Sequence, residues 1–183
     1  LEGRFNESEI SSDDLAFFDP VFKSWNRRFR FSGEATGTIQ SMKAKNLNVI
    51  SGQSKLEGDL DLEQMTDLDS FRYAVYARDL STNTNEIASF APSLKNVQQT
   101  KNLGQIHFKG TCAGSINQLT AEGSLSAAPG IVNANLSMQF TDGDTPSYEG
   151  QLSSPGLDIG RISGNSQLGN IAFSGKINGE GFT

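Results

Sequence analysis

Catalytic and metal-binding side chains are scarce in this chain. Its 183 residues include one histidine, His107, and one cysteine, Cys112. That inventory furnishes neither a zinc set nor a Cys–His dyad. One cysteine closes no internal disulfide and says little about redox compartment. Cys112 alternates with Phe108 and Gly110, which marks a small buried strand residue rather than a nucleophile. His107 falls in the opposite phase, between Ile106 and Phe108, the place of an exposed strand residue. The chain contains neither a Gly-x-x-x-x-Gly-Lys-[Ser/Thr] phosphate loop nor a Gly-x-Ser-x-Gly nucleophile elbow. The expectation is a non-enzyme with no cofactor and no metal.

Positive charge is also in short supply. Fifteen Lys and Arg stand against 21 Asp and Glu, for a net charge of −6. Nucleic-acid surfaces need clustered cations, so no nucleic-acid partner is expected. The basic run Arg27-Arg28-Phe29-Arg30 reads as a solvated strand start. No apolar run approaches the ~18 residues of a membrane span, and Leu1 suggests a piece cut from a longer chain. Hydrophobic residues are only 36% of the total while glycine reaches 19 residues, which suits a thin, one-sided β sheet more than a thick globule. The acids Glu57, Asp59, Asp61 and Glu63 alternate along one strand and read as a wet face. Asp142-Gly143-Asp144 offers too few oxygens for a calcium loop and reads as a turn. Asn6-Glu7-Ser8 and Asn135-Leu136-Ser137 fit the glycosylation pattern, a low-information match.

What the chain does contain is a repeat. Phe31-Ser32-Gly33-Glu34-Ala35-Thr36-Gly37, Phe108-Lys109-Gly110-Thr111-Cys112-Ala113-Gly114 and Phe173-Ser174-Gly175-Lys176-Ile177-Asn178-Gly179 all read Phe-x-Gly-x-x-x-Gly. After the first two copies come Ile39 or Ile116, then Met42 or Leu119, then Ala44 or Ala121, at matching distances. Leu103 to Phe108 matches Leu168 to Phe173, and Phe18-Asp19-Pro20-Val21-Phe22 matches Phe90-Ala91-Pro92-Ser93-Leu94. Repeats of this kind argue for an elongated β structure.

The dominant hydrophobic period is two. Phe31, Gly33, Ala35, Gly37 and Ile39 alternate with polar residues, as do Leu56, Gly58, Leu60 and Leu62. The same holds for Phe71, Tyr73, Val75 and Ala77, and for Val132, Ala134, Leu136, Met138 and Phe140. Such runs predict strands with one buried and one wet face, in antiparallel sheets. Turns are expected at Ser51-Gly52-Gln53, Ala128-Pro129-Gly130, Asp142-Gly143-Asp144 and Ser154-Pro155-Gly156. Short helices are expected over Ser12 to Phe18, Thr84 to Phe90 and, more weakly, Asp158 to Ile162. The predicted fold class is mainly all-β: repeated antiparallel meander units with short helices, curved into an open trough or an elongated solenoid-like structure. The expected units are 1–95, 96–157 and a truncated 158–183, in one continuous sheet.

A one-sided sheet must bury its apolar face against something, and the helices are too few to cover about nine strands. The apolar phase is therefore the candidate site. Its expected lining is Phe31, Ile39, Leu56, Leu60, Phe71, Tyr73, Val75, Phe108, Ile116, Leu136, Met138, Phe140 and Phe173. Glycine inside a strand is disfavoured unless the sheet bends or something lies close to the backbone. Gly33, Gly37, Gly110, Gly114, Gly175 and Gly179 are accordingly the candidate floor of a groove that holds acyl chains. A structural or adhesive module with faces closed on each other is the competing expectation.

The segment Leu168 to Phe182, with its Phe173-Ser174-Gly175 core, resembles the TamB branch of the AsmA-like bacterial envelope proteins, in the form found in Bacteroidetes-type bacteria. Ser154 to Gly160 is similar to the connector that precedes such a strand there. Leu103 to Leu119 and Phe29 to Ala44 look like earlier copies. The resemblance implies a periplasmic segment of a long inter-membrane protein anchored in the inner membrane outside this stretch. It implies a β trough for phospholipid or another acyl lipid, and a role in outer-membrane assembly with a barrel partner that docks elsewhere in the protein.

Overall fold

The computed structural model describes residues 2–16, 20–67, 69–90, 102–140 and 145–181. In chain order it contains β1 (Glu2–Ser11), α1 (Ser12–Leu15), a 3₁₀ turn (Pro20–Trp25), β2 (Arg28–Gly37), β3 (Ser41–Ser51), β4 (Ser54–Glu63) and β5 (Arg72–Asn83). There follow α2 (Thr84–Phe90), β6 (Gln105–Gly114), β7 (Gln118–Ala127), β8 (Gly130–Gln139), β9 (Ser147–Asp158), α3 (Ile159–Ser163) and β10 (Asn170–Glu180). The ten strands form one open antiparallel sheet in sequential order β1 to β10. The expected mainly-β meander is therefore the fold, and β1 and β10 do not meet.

The helical pieces punctuate the meander at every fourth connection, between β1 and β2, β5 and β6, and β9 and β10. Each is started by a side chain that takes up orphan backbone N–H groups. Ser11 Oγ accepts from Asp14 N at 3.2 Å while Asp14 Oδ2 accepts from Ser11 N at 3.0 Å, a reciprocal cap; the Ser11 hydroxyl, donating to Asp14 Oδ2 at 2.7 Å, and then the Ser11 N–H lower the Asp14 pKa. Asn83 Oδ1 accepts from Asn85 N and Glu86 N at the start of α2. Asp158 Oδ1 accepts from Arg161 N at the start of α3. The expected helix over Ser12 to Phe18 ends earlier at Leu15, and Phe17 and Phe18 lie outside the described residues. So do Asp142-Gly143-Asp144 and Ala91 to Leu94 of the upstream match. The expected boundary at 95/96 falls there too, while that at 157/158 falls on the last residues of β9.

Glu2–Ser11 is a strand that the sequence reading did not expect. One expectation is corrected. Ser154-Pro155-Gly156 is not a turn but a bulge inside β9, where pairing with β8 slips between Ile131 and Asn133. Proline has no N–H to give a ladder, so it sits where the ladder is interrupted, and Ser154 Oγ accepts from Gly156 N at 3.2 Å.

Bulges also bend the first half of the sheet. Extra residues appear in β1 at Glu7 (φ 52°) and in β3 at Asn46 (φ 51°), and the β4/β5 register slips at Arg78. The β6/β7 and β7/β8 ladders run without a slip. Asp59 of β4 fastens the bulges on both its flanks: its Oδ1 accepts from Asn46 N at 2.8 Å and from Arg78 Nη1 at 3.1 Å. These hydrogen bonds, the one from Asn46 first, hold the Asp59 carboxyl below its ordinary range.

The core is thin. Among the described residues the fully buried hydrophobic side chains are Ala44, Ala77 and Ile106. The chain exposes 11,984 Å², where a compact monomer of its mass would expose roughly 8,600 Å².

Candidate functional site

Directly paired residues in an antiparallel sheet share a face, so the registers show what lines each side. The apolar phase forms rows that run across the strands. One row is Phe31, Val49, Leu56, Leu80, Phe108, Leu125 and Val132. Two residues along, the partners are Leu47, Gly58, Ala77, Gly110, Gly123, Ala134, Leu152 and Gly175, with Gly33 beside Leu47. The third row is Ala35, Ala44, Leu60, Val75, Cys112, Ala121, Leu136, Gly150 and Ile177. The fourth is Gly37, Met42, Leu62, Tyr73, Gly114, Leu119, Met138, Tyr148 and Gly179.

The three motif copies therefore fall in step. Phe31 and Phe108 share the first row, and Phe173 lies at the same level opposite Ser154. Gly33, Gly110 and Gly175 share the second row, and Gly37, Gly114 and Gly179 the fourth. Most of the expected lining is brought onto this one face: Phe31, Leu56, Phe108 and Phe173, then Leu60, Val75 and Leu136, then Tyr73 and Met138. Phe71 stands just ahead of β5 with its ring 6.1 Å from that of Tyr73. Ile39, Ile116 and Phe140 are placed elsewhere. Ile39 and Ile116 lie in hairpin turns, 75% and 54% exposed, and Phe140 follows the end of β8. The alternation that suggested them continues past the last strand residue into the turn.

The face is half-buried rather than buried. The large side chains of its rows sit between full exposure and full burial, and Leu125 reaches 38% exposure. Nearest the connector rim the same face closes over Ser51, Thr82 and Ile106, with Ser54 Oγ 2.7 Å from Thr82 Oγ1. Cys112 lies mid-face, and burial pushes its thiol pKa up, as it does for the Tyr73 hydroxyl.

The floor glycines divide into classes. At Gly110 the backbone has φ 155°, and an added Cβ would strike the backbone of β7 at Glu122 and Gly123. A Cβ at Gly33 would lie 3.0 Å from Lys45 O, one at Gly37 2.9 Å from Met42 Cα, and one at Gly114 3.1 Å from Leu119 Cα. Here the neighbouring strand itself demands glycine. Aromatic rings also fill part of the space: Phe108 Cζ would lie 2.9 Å from a Cβ at Gly110, and Tyr148 Oη 2.6 Å from one at Gly179. Gly175 alone of the six has nothing within 4 Å of its missing side chain.

The opposite face is a ladder of cross-strand charge. Lys43 Nζ lies 2.9 Å from Asp61, Arg28 2.8 Å from Glu9, and Arg4 pairs with Glu34. Asp61 accordingly raises the Lys43 pKa. His107 Nδ1 is 3.4 Å from Asp79 Oδ1. A depression bordered by Asp61, Arg72, Tyr76 and Thr120 belongs to this polar side. Among the described residues no group of three or more His, Cys, Asp and Glu is placed to hold a metal ion. No described helix is long and apolar enough to cross a membrane.

Two features were hidden from the sequence. Leu47 and Leu80 join the apolar face only because bulges shift their phase. Arg27, expected to be solvated, is half-buried: it pairs with Glu86 of α2, donates to Ser89 Oγ at 2.7 Å, and its backbone N donates to Ser12 Oγ at 2.9 Å. It reaches over the β3/β4 turn, where a Cβ at Gly52 would meet the Glu86 carboxylate at 2.7 Å. The connectors of successive units are thus tied along one rim, and Asn102 Nδ2 makes the next tie by donating to Arg161 O of α3 at 2.9 Å. Set against family models, curated proteins and solved structures, the chain matches none of them.

Proposed function

We propose that the chain is a non-catalytic segment whose apolar sheet face shelters the acyl chains of lipids. The single observation that supports this is the face itself: four apolar rows cross an open sheet, and no large side chain on them is fully buried. Apolar surface on this scale is uncommon on a protein that has no partner for it. Each methylene moved from water onto such a face gains about 0.8 kcal/mol, so a shallow groove suffices to hold a chain. Together with the resemblance of its Phe-x-Gly-x-x-x-Gly strands to the TamB branch of AsmA-like proteins, this supports a place in the periplasm, within an inter-membrane envelope-biogenesis protein. An outer-membrane barrel partner would be engaged through regions outside this stretch.

The second reading is a structural or adhesive β module. It is favoured by the way Phe108 lies over Gly110 and Gly123, and Tyr148 over Gly179, so that the face partly packs on itself. Native mass spectrometry of the purified chain, with a photo-crosslinking residue placed at Leu60, separates the two. Bound phospholipid and a lipid adduct are expected. A lipid-free spectrum together with no adduct in the presence of added phospholipid would leave the structural module.

A further inference from the structure

The two rims of the sheet differ chemically. One carries α1, the 3₁₀ turn, α2 and α3. The other carries hairpin turns, where Gly, Asn, Asp and Ser are the usual residues. Here the apices of the β2/β3 and β6/β7 turns are Ile39 and Ile116, 75% and 54% exposed. Both are held in the same frame. Thr38 N donates to Ser41 O at 2.7 Å, and Ser115 N to Gln118 O at 2.8 Å. Met65 N donates to Gln40 O at 2.9 Å, and Phe140 N to Asn117 O at 2.9 Å, so the backbones of half-buried Met65 and of Phe140, 38% exposed, are tied to the residues that follow the two apices. The two pairs, Ile39 with Met65 and Ile116 with Phe140, occupy equivalent places four strands apart, roughly 19 Å along the rim.

We propose that this rim docks edge-on to the surface of a phospholipid bilayer, each apex inserting its apolar pair. This goes beyond the sheltering face and does not depend on it. A protein partner would need about 800 Å² of contiguous surface. Two apolar points about 19 Å apart on a rim one sheet thick, each flanked by Thr, Ser, Gln or Asn and separated by the charged β4/β5 turn, supply no such patch. A bilayer accepts isolated apolar points one at a time. Glu63, Asp67 and Asp69 against Arg72 make the intervening β4/β5 turn acidic, so the surface it suits is zwitterionic rather than anionic.

Flotation of the 183-residue chain with dioleoylphosphatidylcholine vesicles tests this. The wild type is expected to float, and Ile39→Ser/Ile116→Ser to lose binding by about 30-fold or more. Ile116→Trp is expected to show blue-shifted emission quenched by brominated lipid, while Trp25 on the opposite rim reports no change. Adding one-third phosphatidylglycerol should not improve binding. A wild type that stays at the bottom, a double variant that floats equally well, or binding only to the anionic vesicles would each overturn the proposal. Glu122→Gln, on the exposed polar face, is expected to float like the wild type. If it does not, contact is not confined to the rim and the rim proposal falls. Lipid retained in native spectra by a chain that never floats would sink the rim proposal alone and leave the sheltering face standing.

Discussion

Leu60→Asp places a carboxylate in the middle of the apolar face and weighs its openness directly. Leu60 stands in the third row between Ala44 and Val75 and is half-buried. Complete burial of a leucine is worth about 1.5–3 kcal/mol, so losing a half-buried one costs about 1–1.5 kcal/mol. The weaker strand preference of aspartate adds up to about 1 kcal/mol. On an open face the carboxylate keeps water, and the total stays near 2 kcal/mol. In a closed sandwich the same group is a buried, unpaired charge costing about 4 kcal/mol or more. At about 2–4 °C per kcal/mol for a domain of this size, the open face predicts a fall in melting temperature of about 4–8 °C. Thermal melts followed by circular dichroism, run beside photo-crosslinking to phospholipid, are the assay. A variant that folds with this modest loss and yields no lipid adduct is expected. One that loses its cooperative transition, or that crosslinks like the wild type, refutes the reasoning.

The glycine classes predict opposite results from one substitution. Gly110→Ala forces a Cβ into the β7 backbone at a φ of 155° and should cost about 2 kcal/mol or more, whereas Gly175→Ala meets open space and should melt within about 2 °C of the wild type. Asp59 is lowered in pKa by its hydrogen bonds to Asn46 and Arg78. Its stabilisation is therefore present above the ordinary carboxylate pKa of about 4 and is lost as pH falls through the lower, folded value. Asp59→Asn should flatten the fall of urea midpoint with pH below pH 4. Arg27→Met strands the Glu86 carboxylate, whose side chain is 13% exposed, and should cost about 2 kcal/mol or more, while Arg27→Met/Glu86→Leu recovers most of it. A double-mutant cycle by urea denaturation reads the coupling, and additive effects would deny that the connectors are tied.

The unbulged strands of this fold were legible in the alternation, and the bulged ones were not. Leu56 to Leu62 and Val132 to Met138 keep strict phase, and their strands lie where that phase predicts. In β1 the phase breaks at Glu7: Gly3 and Phe5 share a face with Ser8 and Ile10, so no unbroken period of two marks the strand. The same break separates Ala44 from Leu47 and Ala77 from Leu80. A bulge is chosen by contacts such as those converging on the Asp59 carboxylate, which come from 13 and 19 residues away in sequence and leave no local trace. Arg27 was misread for a related reason, since Glu86 is 59 residues away. The hairpin apices mislead in the other direction: Ile39 and Ile116 keep the phase after the strand has stopped, and only the turn geometry moves them to the rim.

Curvature and polarity are written in different residues here, and that makes them separable. At Gly33, Gly37, Gly110 and Gly114 the adjacent strand crowds the missing side chain, so these positions set how closely the strands approach. Leu56, Leu60, Val75 and Leu136 decide only whether the resulting face repels water. A sheltering face needs both properties, because a flat apolar sheet stacks on its own copies and a curved polar one holds no acyl chain. The three motif copies place phenylalanine, glycine and glycine at the same levels across the sheet, so each unit repeats the two instructions together. A purely structural module requires the glycine instruction, since its strands must still pair, but it tolerates polar residues on any face that remains wet. The half-buried apolar rows persist across both units, and that persistence, more than any single residue, is what weighs toward a surface built to be covered by something other than the chain itself.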